Sequence, residues 1–206
     1  MARVLIAVPT FENISPDTFK SLWDMDKGEH TCIFEFVRGY DCASARNNIF
    51  SRALDLGVDY VMMVDSDVTV PCNALKYLLE DDVDVVMGYY AHREKGTQSS
   101  TKTNCCKRGE LDYSMQYDGS ELHALAEDGK HLERIHGGGM GCILVKRSVI
   151  ERIPYPWFDW VNYRDVNQSV LSEDLFFCEQ CRKYKIRVYA DTRVACGHLC
   201  RYIQTV

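Results

Sequence analysis

The sequence predicts an α/β fold in which helices flank a mostly parallel central sheet. Short apolar runs alternate with segments of helical periodicity, and glycines or prolines end several of them. One apolar run leads directly into two acidic residues, Asp65 and Asp67. Strands that alternate with helices at this spacing pair in parallel, and such sheets bind ligands outside the carboxyl ends of their strands. The acidic pair is therefore expected at a ligand-binding edge.

Length and composition fit one folded domain. The chain has 206 residues, of which 46% are hydrophobic and 26% charged, so disordered and collagen-like classes are excluded. The formal net charge of -6 disfavours general binding to nucleic acid, and a phosphate ligand would need a local cation. No stretch reaches the roughly 18 apolar residues of a membrane helix, so no transmembrane segment is expected.

The cysteine content bears on location. Ten cysteines would suit a secreted disulfide protein, but the apolar run at residues 3–8 is too short for a signal peptide. Reduced thiols and a cytoplasmic location are therefore expected.

The elements of the first half follow from apolar runs and helix signals. A polar, helix-compatible stretch separates the first two strands. Residues 41–56 place small apolar side chains at helical spacing and stop at Gly57, and Pro71 opens a further helix. The predicted strands are 3–8, 32–37, 58–64 and 83–90, and the predicted helices are 41–56 and 71–79.

Residues 91–136 break this alternation and are predicted to form an insertion or lid. Apolar structure resumes after the glycine-rich segment 137–141. The later predicted elements are strand 142–145, helix 146–153, an aromatic loop at 155–163, a helix capped by Ser172 that runs to about residue 184, and strands 186–190 and 193–195. The loop aromatics Trp157, Trp160 and Tyr163 suit either a sugar-stacking surface or the core.

The acidic pair is the strongest chemical signal. Two carboxylates at the end of a buried strand repel each other unless a cation or a proton lies between them. Mg2+ or Mn2+, shared with a diphosphate, would resolve this conflict. The alternative is a solvated turn in which Asp caps the next helix.

Arg46 lies on the helix before that strand and could reach a phosphate or a nucleobase at the same edge. Alternatively, it pairs with Asp41 or Asp55 on the surface.

Five segments, in order along the chain, resemble the landmarks of GT-A-fold glycosyltransferases, most of all the small family-2-like members of bacterial and phage genomes. They are Val8-Pro9-Thr10, Ala45-Arg46-Asn47, Val64-Asp65-Ser66-Asp67, Ser172-Glu173-Asp174 and Gly197-His198. The resemblance covers nearly the whole chain and implies a single GT-A-like, Rossmann-like domain. Its parts would be a nucleotide-binding half at 1–90, the insertion at 91–136, and an acceptor and metal-completing half at 137–206.

The resemblance implies transfer of a sugar from a nucleotide-sugar donor, most commonly a UDP-sugar, to a glycan or another hydroxyl acceptor. Mn2+ or Mg2+ would be the cofactor, with Asp65, Asp67 and His198 as ligands. Asp174 would be the general base of an inverting reaction, and Glu173 would bind the acceptor. The implied contacts to the nucleotide sugar are Pro9, Thr10, Glu12, Arg46, Asp65, Ser66, Asp67, Gly138 and Gly139.

Elementary chemistry agrees with these roles. A carboxylate that accepts the proton of a sugar hydroxyl contributes roughly 10²–10⁴-fold to the rate. Asp174 in the first turn of a helix is expected to be ionised, because the helix dipole favours negative charge there. The alternatives are ordinary helix N-terminal acidity for Glu173 and Asp174, and a structural core histidine for His198.

Two other functions stay open. Asp65-Ser66-Asp67-Val68-Thr69 also resembles the first motif of haloacid-dehalogenase-type phosphatases, in which Asp65 would be the phosphoryl nucleophile. However, a long segment precedes this motif, and the late acidic pair opens a helix. A zinc-binding interaction module would use Cys178, Cys181, Cys196, His198 and Cys200. Cysteine inside an amphipathic helix commonly serves as a small apolar side chain instead.

Overall fold

The computed structural model describes residues 1–11, 13–92, 102–108, 113–161 and 171–199. The strands in these ranges are β1 (Arg3–Thr10), β2 (Thr31–Arg38), β3 (Tyr60–Val64), β4 (Val68–Thr69), β5 (Val85–Tyr89), β6 (Lys102–Cys106), β7 (Gln116–Asp118), β8 (Leu132–Ile135), β9 (Gly137–Gly138), β10 (Cys142–Lys146), β11 (Val188–Ala195) and β12 (Gly197–His198). The helices are α1 (Pro16–Asp24), α2 (Cys42–Leu56), α3 (Ala74–Glu80), α4 (Gly119–Glu127), α5 (Arg147–Arg152) and α6 (Glu173–Lys183).

Seven strands form the central sheet, in the order β2-β1-β3-β10-β5-β11-β8. β1 pairs in parallel with β2 and β3, and β11 pairs in parallel with β5. β10 is antiparallel to both of its neighbours, and β8 is antiparallel at one edge. The prediction of a mostly parallel α/β sheet is therefore confirmed. Two small sheets, β12-β4 and β7-β6-β9, flank the carboxyl edge and the insertion.

Helices cover both faces of the sheet, so its central strands β1, β3, β5 and β10 are largely apolar. Residues 4–8 of β1 are fully buried. Ile49 and Phe50 of α2 pack on one face together with Phe177 of α6, whereas Leu22 of α1 and Leu75 of α3 pack on the other. Each such side chain contributes about 1.5–3 kcal/mol when it leaves water, and this burial holds α2 and α6 against the same face.

Local signals explain the bounds of α2. Asp41 and Ser44 form a reciprocal capping box, in which the Ser44 backbone N–H donates to Asp41 Oδ1 at 2.7 Å and the Asp41 N–H donates to Ser44 Oγ at 3.0 Å. Gly57 ends the helix in the left-handed region with φ of 60°. The helix predicted at 41–56 is confirmed, and it carries Arg46 into the interior.

Some predicted boundaries were wrong. The helix expected from Pro71 begins at Ala74, because residues 71–74 form a turn closed by the Ala74 N–H and the Pro71 carbonyl. The two late strands are one continuous strand, β11. Its centre contains Asp191, which is fully buried and satisfied by the Arg193 side chain and backbone N–H, so a polar residue interrupts the sequence pattern but not the strand.

The segment 91–136, which the sequence analysis predicts to be an insertion, contains β6, β7, α4 and β8, and β8 joins the central sheet. All nine cysteines in the described ranges are free thiols. No helix in these ranges combines the length and apolar character needed to cross a membrane.

Candidate active site

Polar side chains from distant segments meet at the carboxyl edge of the central sheet. Asp65 follows β3, Tyr90 follows β5, and Glu173 and Asp174 begin α6, while Arg46 reaches this edge from α2. The crossovers of the fold bring these segments together, as the rule for open parallel sheets predicts.

Arg46 is the centre of this cluster. Its side chain is only 2% exposed. Nη2 donates to Asp65 Oδ1 at 2.9 Å, and Nη1 donates to Glu173 Oε1 at 2.6 Å and to Asp174 Oδ1. The alternative of a surface pair with Asp41 or Asp55 is therefore wrong. One planar guanidinium binds three carboxylates, a geometry that lysine does not reproduce.

The charges of the cluster do not balance, and this shifts the pKa values of its members. Burial alone would lower the pKa of the Arg46 guanidinium, but Asp174, Asp65 and Glu173 outweigh burial and raise it above its ordinary value. Burial raises the pKa of Asp174 to about 7; Arg46 opposes this shift, and Glu173 and Asp65 add to it.

The expectation that the start of α6 keeps Asp174 fully ionised was therefore wrong. Only 20% of its side chain is exposed, and two other carboxylates lie beside it. Desolvation and repulsion from these carboxylates both raise the pKa of Asp174, and together they exceed the lowering of the pKa by the helix dipole. A carboxyl group with a pKa near neutrality can both accept and donate a proton at physiological pH.

Tyr90 and the glycine-rich segment 137–141 pack against the carboxylates of the cluster. The Gly141 N–H donates to Tyr90 Oη at 3.0 Å, and the Asp65 N–H donates to the Gly141 carbonyl at 3.0 Å. A Cβ atom on Gly139 would lie 2.7 Å from Tyr90 Oη and 3.6 Å from Asp174 Oδ2. Gly139 is therefore required for the close approach of the backbone to these side chains.

Sequence reasoning missed Tyr90, although a signal was present. Tyr90 follows the buried strand β5 directly, so the rule that selected Asp65 also selects Tyr90. Burial, together with the nearby charges of Asp65 and Asp174, raises the pKa of the Tyr90 hydroxyl well above its usual value, so this group is a neutral hydrogen-bonding partner.

A second polar pair lies beside the cluster. β12 pairs with β4, which places His198 Nε2 3.9 Å from Asp67 Oδ1. His198 Nδ1 lies 2.9 Å from the Ala91 carbonyl oxygen. Since a carbonyl only accepts, Nδ1 carries the proton, and in the neutral imidazole the lone pair is on Nε2, towards Asp67.

The predicted metal ligands do not form one group of three. Among the described residues, no three His, Cys, Asp or Glu side chains are arranged to hold a metal ion. Asp67 and His198 are brought together, whereas Asp65 binds Arg46. The sequence could not show this, because the partner of Asp65 lies on another element.

Most of the other residues predicted to contact the nucleotide sugar lie near the carboxyl edge of the sheet. Pro9 and Thr10 end β1, next to β3, and the Ser66 carbonyl accepts a hydrogen bond from the Ser15 N–H at 2.9 Å. Gly138 is buried against β6, where a Cβ atom would lie 2.4 Å from the Asn104 carbonyl oxygen. Glu12 lies outside the described residues.

The aromatic loop at 155–163 contacts both helices that carry the residues of the cluster, α2 and α6. Asn47 donates to the Phe158 carbonyl at 2.8 Å, and Phe158 stacks on Phe177 with 5.0 Å between ring centroids. Trp157 is buried and belongs to the core, whereas Trp160 is 43% exposed. Tyr163 lies outside the described residues. The loop therefore fixes α6 relative to α2, and hence Asp174 relative to Arg46.

A cavity of about 240 Å3 lies between Tyr90, Ala91 and the insertion residues Thr103 and Ser120. Ala91 also contacts His198, so the insertion contributes to a concave surface beside the Asp67–His198 pair.

The structure gives little support to a zinc-binding module or to a phosphatase. Cys178 and Cys181 are buried in α6, and burial raises the pKa of both thiols, as expected for cysteines that pack in a core. Cys196 lies beside Cys142 instead, and Cys200 is outside the described residues. For a phosphatase, the nucleophile Asp65 would have to act while bound to Arg46.

The fold is similar to that of two crystal structures. A197 from STIV aligns over 97% of this chain and 86% of its own, with a TM-score of 0.63 and 18% identity. GalNAc-T7 with UDP, GalNAc and Mn2+ aligns over 97% of this chain but 44% of its own, with a TM-score of 0.58 and 11% identity. This chain thus spans less than half the length of GalNAc-T7.

These similarities define the fold class. At such identities the likeness concerns the fold alone, and that fold is a GT-A-like α/β fold. No protein-family model and no curated protein sequence matches the chain.

Proposed function

We propose that this protein is a metal-dependent glycosyltransferase that moves a sugar from a nucleotide-sugar donor to a hydroxyl acceptor. The observation that carries the proposal is the arrangement at the carboxyl edge of the GT-A-like sheet, where Asp174 meets Arg46 beside the Asp67–His198 pair. GalNAc-T7, which has a similar fold, was crystallised with UDP, GalNAc and Mn2+. This supports a nucleoside diphosphate donor and a divalent cation.

Asp67 and His198 are the proposed ligands of that cation. A carboxylate oxygen and a neutral imidazole nitrogen are suitable donors for Mn2+, and the Ala91 carbonyl orients the imidazole through Nδ1. The two donor atoms are 3.9 Å apart, and two ligands of one Mg2+ ion lie at most about 4.2 Å apart. The pair therefore fits one ion. When bound, the cation would stabilise the negative charge of the departing diphosphate.

Asp174 is the proposed general base. Its pKa of about 7 leaves a large fraction deprotonated at neutral pH, and a base is most effective when its pKa lies near the working pH. Arg46 holds the carboxylate in place. Glu173 binds the same guanidinium and is the proposed acceptor contact. Direct attack by an acceptor hydroxyl that Asp174 deprotonates gives inversion at the sugar carbon.

The donor is proposed to lie along the ends of β1 and β3. Pro9, Thr10, Ser66 and the backbone of Gly139 border this space, and Glu12 and Gly138 remain sequence-based candidates for it. The proposed main role of Arg46 is to position carboxylates and not to contact the nucleotide, because its two Nη groups already bind three carboxylates.

Nucleotide binding tests the proposal most directly. Thermal unfolding would be measured with UDP, GDP, CMP and dTDP, each with Mn2+ and with EDTA. We expect at least one nucleotide to raise the melting temperature only with Mn2+. Asp67→Asn should abolish this shift, whereas Asp59→Asn, which alters an exposed carboxylate, should keep it. The absence of any metal-dependent shift would contradict the proposal.

Turnover tests the role of Asp174. Asp174→Asn should lower transfer by about 10²–10⁴-fold while nucleotide binding persists. Glu179→Gln, more than one turn further along α6, is the matched control and should keep activity. Wild-type kcat/KM should fall as the pH drops below about 7, because the base becomes protonated. Unchanged turnover in Asp174→Asn would remove this residue from the mechanism.

A further inference from the structure

A second concave surface lies towards the carboxyl end of α6. It is a cavity of about 360 Å3, which we call the basic cavity. Its lining includes buried apolar residues such as Ile135 and Val188 and the half-buried His136. Five exposed cationic side chains surround it, namely Arg108, Arg134, Arg182, Lys185 and Arg187.

Several segments contribute these cations. Arg182 lies in the last turn of α6 and Lys185 follows the end of this helix, where the helix dipole favours positive charge, so these two have a structural explanation. Arg134 comes from β8, Arg108 follows β6, and Arg187 precedes β11. The helix dipole does not explain why these three arginines line the same cavity.

Few carboxylates compensate this charge. Arg182 pairs with Glu179. In the described part of the chain, no carboxylate forms an ion pair with Arg108, Arg134, Lys185 or Arg187. The chain as a whole carries a formal charge of -6, so the basic cavity opposes the overall field. Like charges around a concavity repel one another and attract a counter-ion.

We propose that the basic cavity binds a compact anion of the pyrophosphate class. Arginine forks match phosphate oxygens and bind them through paired, charge-assisted hydrogen bonds. The volume of the cavity falls in the range of small-molecule sites. Four of these cations form no ion pair with any carboxylate among the described residues, and their combined charge suits an anion with more than one phosphate group.

This site is distinct from the candidate active site. Asp174 lies in the first turn of α6 and Arg182 near its end, about 12 Å further along the axis at 1.5 Å per residue. The anion site also needs no divalent cation, because its own side chains carry the positive charge. The inference therefore does not rest on the proposed function.

Calorimetric titration with inorganic pyrophosphate in EDTA tests the proposal. The full chain should bind, and the double variant Arg134→Gln/Arg187→Gln should bind at least about tenfold more weakly, because two charged contacts are lost. Arg3→Gln/Arg52→Gln removes the same charge near the opposite edge of the sheet. It should bind within about twofold of the wild type, because salt screens distant exposed charges.

Two further variants separate the basic cavity from the candidate active site. Arg108→Gln alters a different segment and should also weaken pyrophosphate binding. It therefore tests the site even if the double variant does not fold. Asp67→Asn should bind pyrophosphate as the wild type does in EDTA. The proposal is overturned if wild-type protein does not bind in EDTA, if both double variants lose affinity equally, or if Arg108→Gln binds as tightly as the wild type.

Titration with a pyrophosphate ester distinguishes a free pyrophosphate ligand from an esterified one. Isopentenyl pyrophosphate would be titrated beside inorganic pyrophosphate. Tighter binding of the ester identifies an esterified ligand, whereas equal or weaker binding identifies the free anion, and both results support the site.

Discussion

Arg46 Nη2 lies 2.9 Å from Asp65 Oδ1, and this contact joins the middle of α2 to the residue that follows β3. Through its other terminal nitrogen the same guanidinium holds Glu173 and Asp174 at the start of α6. One buried cation therefore ties three segments together. Since three carboxylates share it, the cluster keeps an excess of negative charge, which favours a proton or a nearby divalent cation.

Removal of this cation should be costly. Arg46→Met keeps most of the apolar stem but leaves three carboxylates without their partner. We expect the free energy of unfolding at pH 7 to fall by about 3–5 kcal/mol, measured by urea denaturation. Arg52→Met on the same helix breaks only an exposed pair with Glu35 and should change it by less than about 1 kcal/mol. Equal effects of the two substitutions would contradict a central role for Arg46.

Stability should depend on pH through Asp174. Its pKa is about 7 in the folded protein, against an ordinary value of 3.8. Between these values the folded state keeps a proton that the unfolded chain has lost, so this residue stabilises the fold at low pH, and its contribution declines as the pH rises to about 7.

Asp174→Asn removes this contribution, so the variant should gain stability relative to the wild type as the pH rises from 4 to 7. The gain should be about 1 kcal/mol or more. Urea denaturation at several pH values measures it, with Asp17→Asn on α1 as a control for the substitution itself. A difference between variant and wild type that does not change with pH would show that Asp174 is not the titrating group.

Metal affinity should depend on the Asp67–His198 pair. Asp67→Asn and His198→Ala should each weaken Mn2+ binding at least about tenfold, because even partners outside the first ligand shell commonly contribute that much. Free Mn2+ measured by electron paramagnetic resonance in the presence of nucleotide reports the affinity. His123→Ala on α4 is a matched control at an exposed histidine and should bind normally. Normal binding in both site variants would exclude this pair as the metal site.

The contact between Gly139 and Tyr90 should appear in a double-mutant cycle. Gly139→Ala places a methyl group 2.7 Å from Tyr90 Oη and should lower the free energy of unfolding by about 1–3 kcal/mol. In a Tyr90→Phe background the clash is absent, and the cost should fall by about 1 kcal/mol.

Gly141→Ala provides the contrast for this cycle. Its added methyl group would lie 2.9 Å from two ring carbons of Tyr90 as well as from Oη, so Tyr90→Phe should not relieve it. Chemical denaturation of the single variants and of the two double variants decides between these outcomes. Equal relief at both glycines would contradict these contact distances.

Local sequence patterns predicted much of the fold. The apolar run at 58–64, the helix before it and the helix terminator Gly57 all report on local structure, because they depend on neighbours close in the chain. The patterns failed where distant partners decide the outcome. Asp191 indicates a break in β11, but the Arg193 guanidinium satisfies it inside the fold.

The same division holds at the candidate site. The sequence alone indicated that Asp65 and Asp67 reach the carboxyl edge, since an acidic pair directly after a buried parallel strand lies there. Only the tertiary structure decided their partners. It joined Asp65 to Arg46, brought His198 close to Asp67 and raised the pKa of Asp174, because ion pairing and desolvation depend on distances between segments far apart in the chain.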